Sequence, residues 1–111
     1  MIMPRIDDLA YLLGGGLLSN AVPHLVSGVT GRAFQSPFAK PSGVGMSSAT
    51  VNVLWGFANL VAAYLLLCQV GRFDLNAPPH AIALGAGLLG MSLAAARHFG
   101  RFHGAAEPPP S

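Results

Sequence analysis

The hydrophobic positions of this sequence fall into three long runs, at about residues 6–28, 49–70 and 80–99. A helix needs roughly 20 residues to cross about 30 Å of hydrocarbon, and each run provides that length. Stretches rich in glycine, proline and polar residues separate the runs. The pattern therefore predicts an all-α fold, a three-span transmembrane helical bundle, in one membrane domain over residues 1–103.

Residues that favour helix ends stand at the borders of the second and third runs. Ser48 precedes the second run as a good N-cap, and Gly71 follows it as a good C-terminal residue. Pro78 and Pro79 stand where the third run begins, a position that suits proline. Because the connection over residues 72–77 is short, the second and third helices are expected to be antiparallel neighbours.

The loop over residues 29–48 carries two phenylalanines, four positions apart, between two cations. A short helical turn would place both rings in the membrane interface while the cations stay in water. An irregular polar loop is the alternative interpretation. Two arginines near the end of the third run extend this basic region. The expected interfacial residues are Arg32, Phe34, Phe38, Lys40, Arg97 and Arg101.

Composition strengthens the membrane assignment. Hydrophobic residues make up 52% of the chain and charged residues only 9%, against about a quarter charged in soluble domains. The lipid bilayer is therefore the expected partner, and nucleic acid is not, because the basic residues are scattered. Cys68 is the sole cysteine, so neither a disulfide framework nor a thiolate metal site is expected. The proline-rich tail over residues 104–111 is expected to be disordered.

The distribution of basic residues gives an orientation. Three spans place the first loop and the C-terminus on the same side of the membrane. That side holds four basic residues and the other side two, which favours a cytoplasmic C-terminus and an N-terminus outside. Residues 9–18 also resemble a signal-peptide core, with a cleavage site at residues 19–21. The acidic residues just before this segment make cleavage the minor alternative.

Small and polar residues recur at helical spacing on one face of each run. Such faces let neighbouring helices approach closely, and we expect Gly16, Gly28, Gly56, Gly87 and Gly90 to be packing residues. Two of the faces also carry amides or an imidazole. The three stripes are Gly16, Asn20, His24 and Gly28; Asn52, Gly56, Asn59 and Ala63; and Ala83, Gly87, Gly90, Ala94 and Arg97.

The depth of the polar residues can be counted from the loops. His24, Asn52 and His98 are each within about five residues of the first-loop side, so they should share one layer. Asn20 and Asn59 lie one or two turns deeper, near the midplane. An unpaired amide is costly in hydrocarbon, so these two side chains are expected to face each other or a water.

Three functions are compatible with these features. The first is a structural or accessory membrane protein that packs against itself or a larger membrane partner. The second is a transporter or channel subunit, whose polar path would be lined by Asn20, His24, Asn52 and Asn59. The third is a haem-binding redox subunit with His24 and His98 as axial ligands. No catalytic triad, paired carboxylates or HxxxH spacing indicates an enzyme or another metal site, and no cofactor is expected for the first two functions.

The segment NAVPHLVSGVTGRAFQSPFAKPSGVGMSSATVNVLWGFANL, residues 20–60, contains most of these polar positions. It resembles the central segment of a family of small bacterial multi-spanning membrane proteins of unknown function. The resemblance covers Asn20, His24, Asn52 and Asn59 but neither the third run nor the tail. It implies a bacterial inner-membrane setting and carries no activity, ligand or partner.

Overall fold

The computed structural model of the protein describes residues 6–103 and contains three long helices. Each helix is long and apolar enough to cross a membrane, which confirms the predicted all-α three-span fold. The first two spans agree with prediction to within one residue, whereas the third extends beyond 80–99 at both ends. The expected disordered tail, residues 104–111, lies outside the described residues. The helices are α1, Ile6–Val29; α2, Ala49–Tyr64, which continues as a π-helical segment, Leu65–Val70; and α3, Pro78–His103.

The predicted helix-end residues act at both ends of the second span. The Ser48 side chain accepts a hydrogen bond from the Val51 amide at 3.2 Å, which caps the start of α2. At the other end the Gly71 amide donates to the Leu66 carbonyl, and the helical segment stops there. Pro78 begins α3, where its missing N–H leaves no bond unmade.

Helix α1 lies between the other two helices. It packs along both of them, whereas α2 and α3 make almost no contact with each other within residues 6–103. The expectation that spans two and three are direct neighbours is therefore wrong. The connection between them passes over the start of α1, where the Arg72 amide donates to the Tyr11 hydroxyl at 3.0 Å and the Tyr11 ring meets the edge of Phe73. A short connection limits the distance between two helix ends but does not prevent a third helix from lying between them.

Glycines allow the close approach of α1 and α3. A Cβ atom at Gly87 would collide with the Leu12 carbonyl, and one at Gly15 would collide with the Leu84 carbonyl. Gly16 also faces α3, with Met91 in ordinary van der Waals contact. Lipid tails are as apolar as the helices, so the hydrophobic effect does not bring spanning helices together. The helices associate instead through close packing, which small residues allow.

The contact between α1 and α2 uses the predicted glycines as well. A Cβ at Gly28 would lie 2.8 Å from the Ala49 carbonyl, and one at Gly56 would lie 2.6 Å from the Leu25 side chain. Gly90 differs, because no atom within the described residues lies within 4 Å of its Cβ position. Gly90 is therefore not a packing residue within this chain, although its spacing matches that of Gly87.

The loop between α1 and α2 forms a small hairpin instead of the helical turn that was considered. Its strands are β1, Phe34–Gln35, and β2, Met46–Ser47, which pair antiparallel with Phe34 opposite Ser47. Phe34 is buried, so its assignment to the membrane interface is wrong. Phe38 and the four predicted interfacial cations are exposed. Phe34 is buried because its strand brings the ring against the helix bundle, whereas a helical turn would have placed it beside Phe38.

We expect Gly87→Ala to destabilise the protein by about 1–3 kcal/mol, because the new methyl group collides with the Leu12 carbonyl. Thermal unfolding in detergent, followed by circular dichroism, measures the effect. Gly85→Ala is the matched control on the same helix, since its Cβ position is open. The control should be neutral or stabilising by about 0.5–1 kcal/mol, and equal effects of the two changes would contradict this packing.

Candidate functional site

Two side-chain amides pair near the middle of the bundle. Asn20 on α1 donates from Nδ2 to Oδ1 of Asn59 on α2 at 3.0 Å. The second amide nitrogen, that of Asn59, donates to the Trp55 carbonyl one turn earlier at 2.8 Å. Asn59 is buried, as its apolar surroundings require. The predicted pairing of the two midplane asparagines is confirmed.

A second pair joins α1 and α2 nearer the hairpin. Nδ1 of His24 lies 2.7 Å from Oδ1 of Asn52, and both side chains are buried. The Asn52 amide nitrogen donates to three carbonyls at 3.1–3.2 Å, those of Phe34, Ser47 and Ser48. Asn52 therefore connects the imidazole, both strands of the hairpin and the start of α2.

Aromatic rings surround His24. The rings of Phe34, Trp55 and Phe99 lie with their centroids 5.5, 6.4 and 6.2 Å from that of the imidazole. All three meet it edge to face, the arrangement that aromatic quadrupoles favour. These rings come from the hairpin, α2 and α3 respectively. His24 is therefore the point at which every element of this end of the molecule meets.

Side chains of α3 form hydrogen bonds with the hairpin. Nε2 of His98 donates to the Gly43 carbonyl at 2.6 Å, and Nδ1 of the same ring accepts from Arg101 at 2.9 Å. Nearby, His103 bonds to the Gln35 side chain at 3.0 Å. The hairpin thus joins α2 and α3 at the end of the bundle, although the two helices themselves hardly touch.

A cavity of about 220 Å³ lies beneath the hairpin. Both His24 and His98 line it, so the predicted common layer of these residues and Asn52 is confirmed. Its wall contains both polar and aromatic side chains. The lining residues are Asn20, His24, Gln35, Ser36, Pro37, Gly43, Trp55, His98 and Phe99.

The histidines do not fit the haem hypothesis. An axial ligand needs a ring nitrogen that is free to bind iron. Both nitrogens of His98 are engaged, one with the Gly43 carbonyl and one with Arg101. A bis-histidine haem site would need this end of the molecule to be rebuilt.

The polar region does not extend across the bundle in the described part of the chain. It ends at mid-depth with the Asn20–Asn59 pair and a hydrogen bond of 2.7 Å between the hydroxyls of Ser19 and Ser92. Beyond this depth lies a groove of about 520 Å³ with an apolar lining. Its lining residues are Leu12, Leu13, Gly16, Leu17, Leu66, Ala86, Gly87, Gly90, Met91 and Ala94. A polar path through this one chain is therefore not supported.

Several members of this network have no clear signal in the sequence. Gln35 and Ser36 lie in a hairpin whose strands have two residues each, too short for any periodicity. His103 lies beyond the expected end of the third span. The hydrogen bond between Ser19 and Ser92, in contrast, could have been predicted, because both hydroxyls interrupt apolar runs at matching depth.

Charge differs sharply between the two ends of the bundle. Among the described residues the hairpin end has no carboxylate and four cations, Arg32, Lys40, Arg97 and Arg101. The opposite end has one cation and three carboxylates, Arg72, Asp7, Asp8 and Asp74. The cavity therefore lies in the more positive half of the described chain.

Comparisons with known proteins add no assignment to this geometry. No family model, no curated protein and no solved structure matches the chain.

Replacement of Asn52 should destabilise the protein more than replacement of Asn59. Asn52→Leu leaves the His24 imidazole and the hairpin carbonyls without their partner, and we expect a loss of about 3 kcal/mol. Asn59→Leu removes one interhelical bond, with an expected loss of about 1 kcal/mol. Unfolding with sodium dodecyl sulfate, followed by circular dichroism, measures both losses. Equal losses, or the reverse order, would show that Asn52 is not the central connection.

Proposed function

We propose that this protein is a structural or accessory membrane protein that packs against a second copy or a larger membrane protein. The observation that carries the proposal is the saturated polar network. Within residues 6–103 every buried side-chain nitrogen and oxygen has a hydrogen-bond partner. Such a network fixes the register of the helices and the hairpin. A fixed register favours a rigid structural protein over a transporter that must change conformation.

The surface of α3 supports a role in assembly. None of its residues is buried within the described chain, and Met91, which lines the groove, is 38% exposed. Three exposed small residues, Ala86, Gly90 and Ala94, follow each other at spacings of four along one side. This spacing lets another helix approach closely in a membrane. The apolar groove lies on the same side of α3.

The charge distribution supports the proposed orientation. Basic residues concentrate in cytoplasmic segments of membrane proteins. The hairpin end carries four of the cations and none of the carboxylates among residues 6–103. We therefore propose that the hairpin and the C-terminus lie in the cytoplasm and the N-terminus outside, in the inner membrane of a bacterium.

The transporter or channel alternative has less support. Its four polar residues do come together, but in two hydrogen-bonded pairs that lie between the hairpin end and mid-depth. No Asp or Glu among residues 6–103 lies within this polar cluster, and such a carboxylate is the usual coupling group of proton-driven transporters. A polar path across the membrane would require a second polypeptide to supply the other half of its lining.

A photo-reactive benzoylphenylalanine at Met91, which lines the groove, tests the assembly proposal in native membranes. We expect cross-linked protein, at twice the monomer mass for a second copy or at a higher mass for a larger partner. The same residue at Leu93, on another side of α3, is the matched control. Lipid adducts alone at both positions, or equal protein adducts at both, would contradict docking through this groove.

A further inference from the structure

One ring nitrogen of the cavity wall is unpaired in the part of the chain that the structure describes. Nδ1 of His24 bonds to Asn52, but Nε2 forms no hydrogen bond within residues 6–103. Every buried side-chain nitrogen and oxygen in that part of the chain is paired, so Nε2 must be open to a space. Only 2% of the His24 surface is exposed, and the ring lines the 220 Å³ cavity. Nε2 therefore opens into that cavity.

The hydrogen bonds around His24 determine what Nε2 can do. The Asn52 amide nitrogen donates to backbone carbonyls, which leaves its Oδ1 as an acceptor. Nδ1 of His24 must then donate to this oxygen. In a neutral imidazole the other nitrogen is unprotonated and accepts. The cavity thus presents His24 Nε2 as an acceptor, held in place by Asn52.

Charge around the cavity favours a neutral ligand. The four cations at the hairpin end disfavour a cationic ligand, and no carboxylate among the described residues at that end offsets them. An anion would be repelled by the lone pair of His24 Nε2. A neutral molecule with a hydroxyl or N–H group satisfies both conditions.

The walls favour an aromatic ligand. Trp55 and Phe99 line the cavity, and both rings already pack around His24. Aromatic pairs contribute about 0.5–1.5 kcal/mol beyond the area they bury. The volume of about 220 Å³ exceeds the engineered cavity of about 150 Å³ that holds benzene. We propose that this cavity binds a neutral hydroxyaromatic molecule, a phenol or hydroquinone ring, whose hydroxyl donates to His24 Nε2.

Two kinds of ligand contain such a hydroxyaromatic ring. One is a small phenol that enters from water, and the other is a ring with an apolar chain that enters from the membrane. The apolar groove favours the second source. Gly16 and Ala94 line the groove, and each lies one turn before a residue that lines the cavity, Asn20 and His98 respectively. A chain attached to the ring would therefore follow the same helix faces into the groove.

Nitrogen NMR of the protein with ¹⁵N-labelled histidine, in detergent micelles, tests the proposal directly. The resonance of His24 Nε2 is assigned by its loss in His24→Gln. Phenol is added and compared with anisole, which has the same ring without a hydrogen-bond donor, at equal concentration in the micelle. We expect a saturable upfield shift of the Nε2 resonance with phenol and none with anisole. No shift with phenol, or the same shift with anisole, would overturn the proposal.

Trp55, the only tryptophan of the chain, provides a second measurement that does not need a variant. Its fluorescence, excited beyond the absorption of phenol, should change with the same saturation curve as the NMR shift, because the residue lines the cavity. Different saturation curves would place the phenol elsewhere and contradict the proposal.

Variants at two open glycines then separate the sources. Gly90→Leu fills the groove, whereas Gly85→Leu lies outside it; neither Cβ position has a neighbour within 4 Å. Selective weakening of 4-heptylphenol binding by Gly90→Leu supports a membrane-borne ligand. Unchanged binding of both phenols in both variants supports a water-borne one. The comparison of phenol with anisole concerns the cavity alone, so it can fail or succeed independently of docking through the groove, which Gly90→Leu would also alter.

Discussion

Hydrogen bonds between polar side chains of different helices hold this structure in register, because the hydrocarbon interior of a membrane offers no water as an alternative partner. Asn20 with Asn59 and His24 with Asn52 provide two such bonds, both between α1 and α2. The bonded residues are four positions apart on α1 and seven positions apart on α2. Sliding one helix along the other would break both bonds at once, so the two bonds together specify the register.

The two sides of α1 are held in different ways. On the α2 side, amide and imidazole bonds combine with the packing of Gly28 and Gly56. On the α3 side, backbone approach at Gly15 and Gly87 dominates, with one bond between serine hydroxyls. The hairpin completes the unit because it receives hydrogen bonds from both outer helices. These bonds order the hairpin end of a small bundle that has little interior of its own, and the cavity lies at that end.

The sequence was sufficient to predict the spans, since their length and hydropathy follow from the thickness of the bilayer. It also predicted the pairing of Asn20 with Asn59, because an amide inside an apolar run must find a partner at equal depth. It could not predict that α1 lies between the others, since small residues mark a close-packing face without showing which helix covers it. Gly90 has that spacing and no neighbour among the described residues. Phe34 was misplaced because two-residue strands leave no periodic pattern to detect.

A double-mutant cycle on Asn20 and Asn59 in lipid bilayers tests the central claim most directly. The free energy of unfolding is measured for the wild type, for Asn20→Leu, for Asn59→Leu and for the double variant. The account predicts a coupling energy of about 0.5–2 kcal/mol, because either single change leaves the other amide without its interhelical partner. Losses that add within about 0.3 kcal/mol would show that the two amides do not depend on each other. The register would then have another origin.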